Sequence, residues 1–273
     1  MEIKARGLTF DVYEGGPADG DPVLLLHGFP QDHREFDLLL PALHEAGLHT
    51  YALDQRGYSP GARPDEVSAY RITEPVADAV AVLDALGLES AHVIGHDWGA
   101  QVGWLLAGLH PDRVRSLTAI SVPHPKATYL AMRVRPTQRA RFAYFALFRS
   151  PVAERFLLAG GGAALKAMLR PIGDRARLYV EAMRDEPGRL TGGLNWYRGM
   201  SGRDLGGVQV ITVPTTYIWP DRDGVVARTA ALRTRDWVEA DYEFVVLRGV
   251  SHWAPEQAAR SVAEAALARI QPA

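Results

Sequence analysis

The sequence contains no cysteine, which excludes disulfides, thiol nucleophiles and thiolate metal sites while leaving the redox compartment open. Lysine is scarce as well: Lys4, Lys126 and Lys166 are the only ones, so arginine carries nearly all the positive charge. Neither sign of charge prevails. The 30 basic and 32 acidic residues leave a formal charge of −2, so no global field is available to collect phosphate backbones, which argues against a nucleic-acid partner. Long apolar runs are also missing. Residues 1–16 mix polar and apolar side chains without the run of a signal peptide, and no later segment reaches the roughly 18 apolar residues of a membrane span. A soluble, cytoplasmic protein with no membrane partner is expected. No Gly-x-Gly-x-x-Gly or Gly-Lys-Ser phosphate loop occurs, so no nucleotide cofactor is expected either. With those classes set aside, 273 residues at 47% hydrophobic and 23% charged describe a globular chain of one large domain, or a core with one inserted module.

Hydrophobic patterning predicts strands at Leu8–Glu14, Pro22–Leu26, Leu48–Leu53, Ala91–Ile94 and Val114–Ile120, alternating with helices over Leu38–Ala46, from Thr73, and over Trp98–Leu109. Thr73 reads as an N-cap and Gly87 as a C-terminal stop. This βαβ order implies an α/β fold with a mostly parallel sheet and right-handed crossovers. The rhythm stops at Pro123. Residues 123–207 are rich in aromatics and arginine at helical spacing, as in Phe142, Phe145, Phe148 and Phe156, broken by a turn at Gly160-Gly161-Gly162. Strand-helix alternation then resumes with a strand over Val208–Trp219, a helix around Val226–Leu232, a strand over Tyr242–Leu247 and a helix over Pro255–Ile270. The expected organisation is a core of residues 1–122 and 208–273 with a helical cap, 123–207, over the edge where open α/β sheets bind ligands.

Gly95-His96-Asp97-Trp98-Gly99 falls directly after a strand and before a helix. It has the Gly-x-nucleophile-x-Gly form of a strained elbow that lifts its central side chain over the sheet. The alternative is an Asp97 that merely caps the helix. An aspartate at that point selects chemistry. Attack of a carboxylate on an acyl carbon would give a reactive anhydride, whereas attack on a saturated carbon bearing a leaving group gives a stable alkyl ester. Asp97 is ionised at neutral pH without help, so a base is needed only afterwards, to activate the water that hydrolyses the ester. His252, in a glycine-containing loop after the Tyr242–Leu247 strand, is the candidate base. Asp223 or Asp221, after the preceding strand, would orient it.

The motifs His27-Gly28-Phe29-Pro30, Asp54-Gln55-Arg56-Gly57-Tyr58-Ser59, the elbow at Asp97 and Gly249-Val250-Ser251-His252-Trp253 together resemble an α/β-hydrolase over nearly the whole chain. The chain is most similar to soluble epoxide hydrolases, with haloalkane dehalogenases as near relatives. That resemblance favours Asp223 over Asp221 as the acid. It implies an oxyanion hole from the backbone N–H groups of Phe29 and Trp98, and a cis peptide before Pro30. The segment Arg141–Pro151 resembles the first lid-tyrosine segment of epoxide hydrolases, and Leu194-Asn195-Trp196-Tyr197-Arg198 the second, which places Tyr144 and Tyr197 as proton donors. Departing from that pattern, Gln31 stands where epoxide hydrolases often carry an acid, and Ser59-Pro60 replaces a glycine-containing continuation.

The chemistry of leaving groups bears on the choice. An epoxide leaves as an alkoxide that needs an acidic donor, while a halide needs only N–H donors. Two phenols therefore predict an epoxide and water as the substrates, with no cofactor and no metal. A dehalogenase using Trp98 as a halide-binding N–H, or a noncatalytic ligand-binding protein of the same fold, are the alternatives. A homodimer is compatible with the sequence, which carries no pairing motif. His92 and His96 fall on a strand rather than a helix face, against a metal site. His27 reads as a residue that stiffens its loop, and the arginines from Arg133 to Arg149 as a solvated helix face.

Overall fold

The computed structural model describes residues 1–134, 136–201 and 210–271. Eight strands form one sheet in the order β1-β2-β4-β3-β5-β6-β7-β8, with β1 at Glu2–Ala5, β2 at Leu8–Gly15, β3 at Asp21–Leu26 and β4 at Leu48–Leu53. β5 spans Ala91–His96, β6 Val114–Ile120, β7 Thr215–Pro220 and β8 Tyr242–Leu247. From β4 to β8 every neighbouring pair is parallel, and β1 and β2 pair antiparallel at one edge. The central strands β3 and β5 are buried on both faces, which is why their sequences read as continuous apolar runs rather than as an alternation. Successive residues still point to opposite sides. Val23, Leu25 and Ile94 join the core on one face, against helices α1 (Leu40–Glu45) and α12 (Ala259–Ile270). Leu24, Leu26 and Val93 join the other, against α2 (Thr73–Ala85) and α3 (Trp98–Leu109).

Between β6 and β7 the chain makes helices α4 (Pro125–Val134), α5 (Pro136–Arg141), α6 (Tyr144–Phe148), α7 (Ala153–Leu169), α8 (Ala176–Asp185) and α9 (Arg189–Gly199). The Gly160–Gly162 turn is real: all three residues take positive φ and break α7. α9 lies close on the core because two glycines meet. A Cβ on Gly192 would come within 2.6 Å of the Gly57 Cα, and the Trp196 indole donates to the Arg56 carbonyl at 2.8 Å. Beyond β7 follow α10 (Arg228–Arg233), α11 (Ala254–Gln257) and α12.

Several elements differ from the sequence expectation. Thr73 is the first residue of α2 rather than its cap; Ile72 holds the cap position without a side-chain hydrogen bond. The expected strand from Val208 is confined to Thr215–Pro220, with a single bridge at Ile211 to Val238 before it; residues 208 and 209, and with them the 207/208 boundary, lie outside the described residues. The C-terminal helix is split at Ala258, whose backbone turns away from helical geometry. β1 carries too short a pattern to be read. Two of the arginines taken for a solvated face have specific partners: Arg141 donates to the Asp223 carbonyl, and Arg149 to the carbonyls of Tyr197 and Met200. Among the described residues no helix is long and apolar enough to cross a membrane.

Candidate active site

β5 ends at His96, and Asp97 follows with φ 51° and ψ −116°, in a region that L-residues avoid. Its side chain makes no capping bond to α3. The elbow is possible because its neighbours are glycine. A Cβ on Gly99 would sit 1.8 Å from the Leu26 carbonyl oxygen, and one on Gly95 2.4 Å from that of Gly99. The loop after β3 comes equally close, since a Cβ on Gly28 would lie 2.4 Å from the Asp97 Cβ. That approach delivers the Phe29 N–H, which donates to Asp97 Oδ1 at 3.0 Å. Trp98 opens α3, so its N–H has no intrahelical acceptor. The Phe29–Pro30 peptide is cis, as the resemblance implies.

Asp97, His252 and Asp223 come together. His252 Nε2 is 3.3 Å from Asp97 Oδ2, and Nδ1 is 3.1 Å from Asp223 Oδ2. Asp223 is fixed in turn by the N–H groups of Val225 and Val226 on its other oxygen, at 2.6 and 3.0 Å. Asp221 points elsewhere and accepts from the Gly249 N–H at 2.7 Å, closing the turn. Ser121, at the end of β6 with φ 69°, donates to Asp223 Oδ2 at 2.6 Å and lies 2.8 Å from His252 Nδ1. No motif marks this serine in the sequence, because a single hydroxyl after a strand gives no sign of the distant groups it meets.

The charges are strongly biased. Burial opposes a charged His252, but Asp223 and Asp97 on either side outweigh it and lift the imidazole to about 10. Burial likewise raises the two carboxylates, and the histidine overcomes it, leaving both below their ordinary range. The resting arrangement is an imidazolium between two carboxylates.

Across from Asp97 stand Tyr144, at the start of α6, and Tyr197, in α9, with ring centroids 6.0 Å apart. Tyr197 is held edge-on by Phe29, Trp98, Phe145 and Phe148, at centroid distances of 4.9 to 5.4 Å. Burial pushes both phenols well above their ordinary range, and the Asp97 charge adds to it. Both are protonated donors at any physiological pH. The three side chains mark the meeting of two chambers. One is narrow, about 50 Å³, and runs from Asp97 past Gln101, Thr128 and Phe142. The other is wide, about 510 Å³, and is lined mainly by apolar groups such as Phe148, Leu157 and Met168.

Two buried groups under the site, His96 and Glu35, were not foreseen as such. His96 Nε2 donates to the His252 carbonyl at 2.9 Å, which in a neutral ring leaves Nδ1 to accept from the Glu35 carboxyl 3.0 Å away; burial lowers His96 to about 4 and raises Glu35 well above its usual range. Neutral forms are thereby favoured in both. His27 stiffens its loop, as expected: its Nε2 accepts the Gln55 N–H at 3.0 Å. Among the described residues, a metal-like spacing of ligand atoms occurs at Asp32, His33 and Asp54. Both oxygens of Asp32 are already taken by Arg34 and Arg189, so this cluster is neutralised by protein cations.

Comparison with known proteins gives the family. The family model described as the alpha/beta hydrolase fold matches residues 21–259, and the chain belongs to that family. Epoxide hydrolase A of Mycobacterium tuberculosis is 32% identical over 97% of this chain and 95% of its own length. The AB hydrolase superfamily protein YfhM of Bacillus subtilis is 32% identical over 92% of this chain and 90% of its own. Among solved structures, Epoxide Hydrolase A from Mycobacterium thermoresistibile superposes with a TM-score of 0.85 at 27% identity, covering 100% and 98% of the two chains. A variant epoxide hydrolase from Bacillus megaterium, complexed with its product, has the same fold at a TM-score of 0.90 and 23% identity, covering 99% of each chain.

Proposed function

We propose that this protein is an epoxide hydrolase, converting an epoxide and water to a vicinal diol. The observation that carries the reading is the placement of two buried, protonated phenols, Tyr144 and Tyr197, opposite a carboxylate that is seated on the Phe29 N–H and backed by His252. Residues 123–207 act as the cap that brings the phenols to the core, and the similarity to named epoxide hydrolases supports the same activity. In the first half-reaction an Asp97 oxygen attacks a ring carbon, the C–O bond breaks, and the departing oxygen takes a proton from Tyr144 or Tyr197. An alkyl ester on Asp97 results.

Once Asp97 is esterified, the resting proton of His252 passes to the tyrosinate and frees Nε2; in the second half-reaction that nitrogen takes a proton from water, and the hydroxide adds to the ester carbonyl. The developing oxyanion is met by the N–H groups of Phe29 and Trp98. Collapse breaks the ester C–O bond, the proton of the new carboxylic acid goes to the departing diol oxygen, and the Asp97 carboxylate is restored beside a His252 that keeps the proton taken from water, which is the resting arrangement. Asp223 and Ser121 hold the imidazole in orientation throughout. The Trp98 indole packs against the Tyr197 ring, which ties it to the phenol side of the site rather than leaving it as a halide donor.

Intact-protein mass spectrometry of His252→Gln after exposure to a panel of epoxides and haloalkanes tests this. Loss of the base traps the ester, so an adduct of the whole epoxide mass is expected, and none in His252→Gln/Asp97→Ala. An alkyl adduct lacking its halogen, with no epoxide adduct, would replace this reading with a dehalogenase.

A further inference from the structure

The narrow chamber contains more polar capacity than the chemistry above uses. Gln101 lies one turn along α3 from Asp97 and Thr128 lies on α4; both line the chamber and are only 6% and 4% exposed. The Gln101 Nε2 and the Thr128 Oγ1 find no hydrogen-bond partner. Gln138, the other amide in that wall, is different: it donates to the Val225 carbonyl and accepts from the Ala227 N–H. Buried polar groups without partners are costly and rare in native proteins. Two of them on separate helices, facing one small cavity that opens on the nucleophile, call for a ligand group that satisfies both.

We infer that the narrow chamber is a subsite for a substrate hydroxyl, so that this enzyme takes epoxy alcohols whose hydroxyl-bearing arm enters past Gln101 and Thr128. The inference rests on the epoxide-hydrolase reading of the same site and specifies its substrate class. An amide N–H can only donate, whereas a threonine hydroxyl can accept or donate. A hydroxyl accepts from the first and can donate to or accept from the second, so it pairs with Thr128 in either role, whereas a carbonyl or an ether is confined to accepting from both. The volume of about 50 Å³ suits a hydroxymethyl arm and little more. The wide chamber, about 510 Å³ with walls such as Phe148, Leu157 and Met168, takes an apolar or aromatic substituent on the other ring carbon. Burial on both sides makes the discrimination strong, because a substrate lacking the hydroxyl leaves both protein groups unpaired.

The test uses two isosteric substrates, trans-phenylglycidol and the trans-ethyl-phenyl-oxirane in which methyl replaces the hydroxyl. The wild type is expected to favour phenylglycidol by about tenfold or more in kcat/KM. Gln101→Leu and Thr128→Val should each erode that preference by lowering kcat/KM for phenylglycidol while retaining turnover of the ethyl analogue, which also shows that the variants fold. Thr128→Ser should restore it. Equal kcat/KM for the two substrates in the wild type, as expected if the two side chains merely hold water, overturns the inference and leaves the epoxide-hydrolase reading intact. Calorimetry with the triol product and its deoxy diol separates the reverse case. If neither epoxide turns over but the triol binds more tightly, and Gln101→Leu removes the difference, the subsite stands and the reaction reading falls; equal affinity overturns the subsite.

Discussion

His252 is held between two carboxylates, and the proposed first half-reaction consumes the charge of one of them. While Asp97 is ionised, the imidazole is lifted to about 10 and is no base at neutral pH. Esterification neutralises Asp97 and leaves Asp223 as the one charged neighbour within contact, so the proposed first step itself lowers His252 toward the range in which it can accept a proton from water. The residue becomes a base when a base is required. Asp97→Asn mimics the neutral ester at this one position. An NMR titration of His252 is expected to show a lower pKa in that variant than in the wild type, and an unchanged value would remove this account. Asp97 and His252 were legible as candidate nucleophile and base because each sits in a motif beside glycines. Ser121 and the Glu35–His96 pair were not, since a serine after a strand or a glutamate in a loop becomes a partner only when elements distant in sequence bring it there.

Two elements show how glycine sets the site. At the elbow, Gly99 lets α3 start hard against the end of β3, where an added Cβ would meet a backbone oxygen at 1.8 Å. Backbone cannot yield as a side-chain tip can. Gly99→Ala is expected to destabilise the fold by on the order of 3 kcal/mol or to prevent soluble expression, checked by urea denaturation; wild-type stability would contradict the packing described. The second element is α9, seated on the core through Gly192 and Gly57. Tyr197 lies five positions further along the same helix, so its place over Asp97 depends on that contact. Gly192→Val should hold α9 away from Gly57 and cut kcat for epoxide opening by about tenfold or more, with far less effect on the hydrolysis of an ester already formed, as resolved by single-turnover kinetics. The strands and α3 were readable from periodicity and turn residues. The break at Ala258 and the true start of β7 were not, because local propensity there is overridden by packing.

Across the whole molecule, buried histidines make stability depend on pH. His27 is fully enclosed, and burial lowers it to about 4 from 6.5. Its Nε2 must stay unprotonated to accept the Gln55 N–H. Because the unfolded chain takes up this proton first, stability is unaffected above pH 6.5, declines as pH falls toward about 4, and stays reduced below it. The contribution is on the order of 3 kcal/mol. His96 acts in the same direction, but its partner Glu35, raised by burial, acts in the opposite one. His252, raised to about 10, contributes stability that is present below 6.5 and lost as pH rises through 10. Denaturation curves of the wild type should weaken between pH 6.5 and 4, and His27→Gln, with less stability at neutral pH, should show a flatter decline; equal slopes would exclude His27 as the cause. The helices between β6 and β7 are fastened at this scale too. Arg175 and Tyr179 reach Glu256 at 2.8 and 2.7 Å, and Arg189 joins Asp32 to Glu186.

The amino-acid sequence by itself determined the order of strands and helices, the elbow that exposes Asp97, the motif that carries His252 and the aromatic stretch between β6 and β7. Each of these is written in neighbouring residues, through apolar period, glycine placement and the chemistry of an aspartate nucleophile. Only the tertiary structure decided that Asp223 rather than Asp221 faces His252, that Ser121 bridges them, and that Gln101 and Thr128 share a chamber without partners. Those facts depend on distances between segments up to 131 residues apart, and such distances are set by how helices and loops pack on the sheet, for which no local pattern stands in.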